Sequence, residues 1–155
     1  MLVFHQYFVD VILPLPLERN FTYAITEAES KFIKPGFRVS VPFGKNKIYT
    51  GIVLRLHNDA PSSYDCKSIH SILDSEPIVT SIQLNLWNWM SNYYMCFLGD
   101  VMSASLPSAF LLKSETLISL LPNAVYNLKN LNDDEYLVVE ALQQQSILKL
   151  EDIQS

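Results

Sequence analysis

Arg38-Val39-Ser40-Val41-Pro42-Phe43-Gly44-Lys45-Asn46-Lys47-Ile48-Tyr49-Thr50-Gly51-Ile52-Val53 is the stretch whose reading decides the fold. Residues 38–41 read as a strand that Pro42 helps to end. Gly44-Lys45-Asn46-Lys47 reads as a polar loop, and residues 48–56 as a long β-rich run. Upstream, Lys34-Pro35-Gly36 is a turn signal, with Pro fixing φ and Gly free to take φ > 0. Phe21-Thr22-Tyr23-Ala24-Ile25 alternates with the period of a strand, which puts Phe21, Tyr23 and Ile25 on one face. Residues 8–15 are an apolar stretch ended by Pro14 and Pro16. Downstream, Ala60-Pro61-Ser62-Ser63 breaks the pattern and residues 68–73 supply one more strand. Short strands with Pro and Gly punctuation point to a small barrel or a strongly bent sheet.

Helix replaces strand further on. Thr80 with Gln83 forms a capping box, hydroxyl and amide satisfying N–H groups left free at a helix start. Ile82, Leu86, Met90, Tyr93 and Phe97 follow a helical period and are expected to form the buried stripe. Of Trp87 and Trp89, at least one is expected in the core. Gly99 is expected to end this helix in a left-handed cap, with a short second helix over residues 100–106 stopped by Pro107. Residues 117–121 fit a strand. Asn132 with Glu135 opens a helix through about Gln145, and residues 146–153 suggest the start of another. The chain then stops with its last apolar residues unpartnered, as a second domain cut short would.

The chain has 155 residues, 49% of them hydrophobic and 17% charged, which suits a packed core rather than disorder. A net charge of -5 argues in bulk against a nucleic-acid binder. Resolved by position, it reads differently. Residues 1–60 hold seven bases and five acids, and residues 61–155 four bases and eleven acids. From Lys31 to Asn58 there are six bases and no acid, interleaved with Phe32, Phe37, Phe43 and Tyr49. Cations for phosphate and aromatic faces for bases are what single-strand binding requires. The same alternation also arises on any strand with one core face and one solvent face, and on the charge pattern alone that solvent-face reading comes first.

Several chemistries are excluded. With 4 glycines and Val39 where a Walker A loop would need its first glycine, no phosphate-cradling loop exists, and a dinucleotide fingerprint fails likewise. Cys66 and Cys96 are far apart, no Cys-x-x-Cys occurs, and His5, His57 and His70 lack metal-ligand spacing. No His lies in a nucleophile motif, so a small hydrolase ranks last. Two cysteines in such a chain read as reduced thiols of a cytoplasmic protein. The apolar start lacks a basic n-region. The best candidate membrane span, residues 82–98, is interrupted by Gln83, Asn85, Asn88, Ser91 and Asn92.

Taken together, several segments resemble the primosomal protein N′ (PriA) family of bacterial replication-restart helicases. The carriers are Asp10-Val11-Ile12-Leu13-Pro14-Leu15-Pro16-Leu17, Asn20-Phe21-Thr22-Tyr23 and the run from Pro35 through Pro42-Phe43-Gly44-Lys45. Gly51-Ile52-Val53, Ile72-Leu73-Asp74-Ser75-Glu76-Pro77, Tyr93-Tyr94, Gly99-Asp100-Val101 and Leu106-Pro107 follow in matching order. The resemblance implies an α+β chain. Residues 1–107 would be a small β-rich, barrel-like DNA-binding domain with a C-terminal helical segment. Residues 108–155 would be a connector and the truncated start of a winged-helix domain. It implies recognition of the free 3′ end of the nascent leading strand at a stalled fork, in the bacterial cytoplasm at the nucleoid and away from membranes. It also implies no catalytic or metal-binding residue in this stretch. ATP, magnesium and zinc would belong only to the helicase region that the chain lacks. Branched or forked DNA would be the partner, with single-strand-binding protein and other primosome proteins as further ones. The alternative is a protein-interaction module that docks those proteins without reading a DNA end.

The family's terminal-nucleotide pocket falls on Phe21, Thr22, Gly44 and Lys67. Thr22 departs from the pattern, which has Asp there; a hydroxyl brings no charge and no bidentate contact. Gly44 would let backbone approach the terminal sugar, Phe21 would wall or stack the base, and Lys67 would meet the last phosphate or pack on the sugar. Arg38, Lys45 and Lys47 are the candidates for the preceding DNA backbone.

Overall fold

The computed structural model describes residues 7–61, 64–121, 131–149 and 153. The chain falls into two compact units, Met1–Lys113 and Ser114–Ser155.

The first unit is built on five antiparallel strands: β1 (Tyr7–Ile12), β2 (Phe21–Ile25), β3 (Arg38–Phe43), β4 (Lys47–His57) and β5 (Ser71–Ile72), in the order β2-β1-β4-β3-β5. The sheet curls into a half-barrel. β4 is long enough to pair β1 on one side and β3 on the other, and opposite Asp10 and Val11 it carries one extra residue, Leu54, a bulge that bends β4. Val9, Val11, Tyr23, Ile25, Val39, Val41 and Val53 fill the concave side with Phe37. Ile12 and Ile52 point the other way, into a second cluster with the helices. β1 and β4 are therefore apolar on both faces, which explains why residues 8–15 read as a continuous run instead of an alternation.

Pro42 does not end β3. It pairs with Ile48, and the strand runs to Phe43. On this strand Arg38 and Ser40 turn their carbonyls toward the β5 side, to Leu73 and His70. By alternation Pro42 turns the edge that lacks an N–H the same way, past the end of β5, where no ladder bond is lost. Sequence reading passed over α1 (Glu27–Phe32), although Thr26 and Glu29 make a full capping box.

Two helices cover the convex side, α2 (Ser81–Tyr94) and α3 (Leu98–Ser105). The Thr80–Gln83 box caps α2 as expected. Of the stripe expected to be buried only Met90 packs against the core, and it is half-buried; Ile82 is 78% exposed and Tyr93 65%, while Leu84 and Trp87 are the buried residues of α2. α2 is apolar on two sides, so period alone offers two stripes. Packing of Trp87 and Leu84 with Val79, Val101 and Met102 decides between them. Trp87 is core and Trp89 is exposed. α2 ends at Met95, which takes the left-handed conformation (φ 50°) expected of Gly99. Gly99 lies inside α3 instead, where a Cβ would overlap the carbonyl oxygens of Leu13 and Leu15. Its role is close approach of a helix to a strand end. After a 3-10 turn at Ser108–Phe110, Leu112 accepts a hydrogen bond from the Thr50 N–H (2.9 Å) and completes the unit.

The second unit has α4 (Asp133–Gln144), capped by Asn132 and Glu135 as read, and a strand pair, β6 (Leu117–Ile118) with β7 (Leu148–Lys149). Residues 148–149 thus form strand where a helix start was expected. A run this short carries no decisive period, and the β6 partner supplies the hydrogen bonds. Residues 150–152 of that expected helix lie outside the described ones. Among the described residues no helix is long and apolar enough to cross a membrane.

Candidate functional site

Curling brings the two margins of the sheet together. The segment leading into β5 runs along the free edge of β2: Ala24 donates its N–H to the Lys67 carbonyl (2.9 Å) and accepts from the Ile69 N–H (3.2 Å). The Tyr23 hydroxyl reaches across to the Pro42 carbonyl on β3 (3.2 Å). At this seam lies a cavity of about 170 Å³ lined by Phe21, Thr22, Tyr23, Pro42, Phe43, Gly44, Tyr64, Asp65 and Lys67. It is smaller than the ~300–1,000 Å³ of sites that engulf a drug-sized ligand, and its scale is one ring or sugar.

Three chain segments supply the walls. β2 contributes Phe21, whose ring meets Phe43 edge-on at 5.0 Å. Phe43 in turn meets Tyr49 edge-on, so the aromatic wall is braced from behind. The β3–β4 turn contributes Gly44 at φ +66°, a left-handed conformation that lets Phe43 pair with Lys47 across a three-residue turn. A Cβ at Gly44 would meet no atom within 4 Å, so the space in front of it is open. The third segment contributes Lys67, whose Nζ donates to the Gly44 carbonyl (2.7 Å). That bond holds the ammonium at the mouth and leaves two of its protons for a ligand.

Thr22 is bracketed on both sides. Its N–H donates to the Tyr64 hydroxyl (3.1 Å), and its carbonyl accepts from the Cys66 thiol (3.1 Å). Its own hydroxyl donates to the Asp10 carboxylate (2.7 Å) on the neighbouring strand. Asp10 also receives Arg55 (2.5 Å) and His57 (3.1 Å). Burial alone would push the Asp10 carboxyl up, but the bonds from Thr22, Arg55 and His57 outweigh it and hold it below the ordinary range. Burial pushes the Cys66 thiol up to about 11, which keeps it protonated and a donor at neutral pH. Burial likewise raises the Tyr23 phenol.

All four residues assigned to the pocket, Phe21, Thr22, Gly44 and Lys67, therefore line one cavity. Lys45 and Lys47 flank it on the same turn, exposed and in no ion pair among the described residues. Arg38 is the exception. Its guanidinium makes two bonds to Asp74 (2.9 and 2.6 Å), lies 4.7 Å from the Phe110 ring centre, and is largely covered. This corrects its place among free backbone-binding cations. The acid-free stretch from Lys31 to Asn58 is acid-free only along the chain: Arg38 meets Asp74, Arg55 meets Asp10 and Lys31 meets Glu27. Phe37 is core and Phe43 and Tyr49 pack against it, so the solvent-face reading holds for much of the aromatic alternation. Tyr64 and Asp65 were missed. They lie in a Ser/Asp-rich stretch with no period, and only the seam hydrogen bonds bring them to the site.

Residues 10–107 match the family model described as the PriA 3′DNA-binding domain (3′BD). The chain is similar to proteins named replication restart protein PriA. It is 36% identical to that of Rickettsia conorii (strain Malish 7) over 60% of this chain and 14% of the relative. It is 31% identical to that of Bacillus subtilis (strain 168) over 70% of this chain and 14% of the relative. With that of Treponema pallidum (strain Nichols) the identity is 28% over 64% and 16%. The chain thus spans 14–16% of the length of these curated relatives.

Proposed function

The chain belongs to the PriA family, residues 10–107 being its 3′DNA-binding domain, and from that premise we propose that the seam cavity receives the 3′-terminal nucleotide of a DNA strand. In this reading the chain is the DNA-binding module of a replication-restart helicase and takes the 3′ end of the nascent leading strand at a stalled fork. The observation that supports it most is the Lys67–Gly44 contact at the mouth of an aromatic-walled cavity. An ammonium fixed on a carbonyl, beside a turn with open space in front of its glycine, suits a small terminal hydroxyl flanked by one phosphate. A continuing strand would have to leave through the same mouth. Lys45 and Lys47 extend the positive lip toward the preceding phosphates. Recognition needs no bond-breaking group, so this stretch binds; ATP, magnesium and zinc are assigned to the helicase region outside it.

The test compares fluorescent oligonucleotides ending in 3′-OH or 3′-phosphate, with anisotropy as the readout. Tighter binding of the hydroxyl end is expected, and equal affinity for both ends would sink the proposal. A second reading has its own support. Ile82, Leu86, Trp89, Tyr93 and Tyr94 are exposed on α2, a helix without a single charged residue. Such a face suits docking of primosome or single-strand-binding proteins. Salt-insensitive or absent DNA binding by the chain favours it over the first.

A further inference from the structure

The cavity contains one acidic side chain, Asp65, and the proposed end recognition gives it no task. Its position is fixed on both sides. Tyr64 is bonded to the Thr22 N–H and Cys66 to the Thr22 carbonyl, so residue 65 is held between two anchors on one residue of β2. Asp65 makes no hydrogen bond or ion pair with any described residue, and it is exposed at the lining. Thr22 cannot offer the same chemistry, because its hydroxyl proton is committed to Asp10.

An ionised carboxylate accepts hydrogen bonds and never donates. Lys67, on the same segment, only donates. A slot with aromatic walls and these two groups at its margin presents opposite hydrogen-bonding characters to whatever ring enters it. We infer that Asp65 is a specificity-determining residue of this cavity, reading the Watson–Crick edge of the terminal base and favouring bases with N–H donors over thymine. The inference rests on the proposed binding of a 3′ terminus. A guanine end presents two neighbouring N–H donors to a carboxylate. Adenine and cytosine each present an amino group. The single N–H of thymine sits between two carbonyl oxygens that a carboxylate repels.

Four oligonucleotides, identical except for a 3′-terminal dG, dA, dC or dT and all ending in 3′-OH, test this by anisotropy at fixed salt. The dG end is expected to bind roughly three- to tenfold tighter than dT, the scale of one net hydrogen bond, with dA and dC between them. Asp65→Ala should collapse that gap while keeping the preference for 3′-OH over 3′-phosphate. Asp65→Asn, whose amide also donates, should move the preference toward dT. Equal affinity for the four ends in the wild-type chain, with 3′-OH preference intact, overturns this inference alone. So does a gap that survives in Asp65→Ala. Loss of 3′-OH preference in the wild-type chain overturns the end-reading proposal and this inference with it.

Discussion

Gly44→Ala separates binding from folding better than any other change at the site. Gly44 sits at φ +66°, and an added Cβ meets nothing within 4 Å. The cost to the free protein is then conformational only, about 1–2 kcal/mol for an L-residue held in the left-handed region. That lowers the unfolding midpoint by roughly 2–4 °C per kcal/mol in a chain of this size. In the proposed complex the methyl would occupy the open space beside the Lys67–Gly44 contact, where the terminal sugar would come within van der Waals distance. A loss of about tenfold or more is expected, equivalent to about 1.4 kcal/mol, without a change in salt dependence because no charge is removed. Gly44→Asn sharpens the comparison. Asn tolerates the left-handed region better than Ala, yet it is larger, so it should be the more stable variant and the weaker binder. Thermal unfolding by circular dichroism and anisotropy titration with a 3′-OH oligonucleotide give the two orders. Unchanged affinity in both variants refutes the close approach, and affinity that merely follows stability refutes the argument from open space.

Asp74→Ala leaves the largely covered Arg38 guanidinium without its partner, and a loss of about 2–4 kcal/mol is expected in urea unfolding; a loss below about 0.5 kcal/mol would show the pair to be incidental. Lys67→Ala should weaken binding and reduce the slope of log K against log salt by about 0.7, the value for one single-strand phosphate; an unchanged slope places the ammonium away from phosphate. Asp74 is held below the ordinary carboxyl range chiefly by its Arg38 bonds, and Asp10 is also lowered because its bonds from Thr22, Arg55 and His57 outweigh burial. Their contribution is present above about pH 4, the unfolded carboxyl range, and is lost as pH falls through the lower folded values. Asp74→Asn should therefore flatten the acid limb of the stability profile, and an acid limb as steep as wild type argues against this linkage. With its thiol raised to about 11, Cys66 should alkylate at pH 7.5 far more slowly in the folded chain than in urea; equal rates by peptide mapping would remove the Cys66–Thr22 anchor.

Much of the curled sheet was legible because turn chemistry and alternation agree locally. β2 is read to the residue, since the large apolar Phe21, Tyr23 and Ile25 alternate with the smaller Thr22 and Ala24. Both capping boxes that were read, Thr80–Gln83 and Asn132–Glu135, form, because a cap is a contact between residues three apart and depends on nothing remote; the same chemistry at Thr26–Glu29 was there to be read and was passed over. What escaped reading is tertiary. The buried side of α2 was misread because two apolar stripes compete for one sheet. Arg38 counted as a free cation because Asp74 is 36 positions away. Phe21, Thr22, Gly44 and Lys67 came from family likeness, and nothing in their spacing says that the margins of a sheet would bring them to one cavity. Tyr64 and Asp65 had neither likeness nor pattern behind them.

The seam has a mechanical consequence. The cavity is walled by both lateral margins of one sheet, so a ligand seated there rivets β2 to the β3–β4 turn and to the strap that precedes β5. Opening of that seam then requires expulsion of the ligand, and occupancy stabilises the closed form by RT ln(1 + [L]/Kd). Amide hydrogen exchange at Ala24 and Ile69, whose N–H groups span the join, becomes a gauge of site occupancy. A DNA end would be sensed as a slowing of the clasp that holds the half-barrel shut.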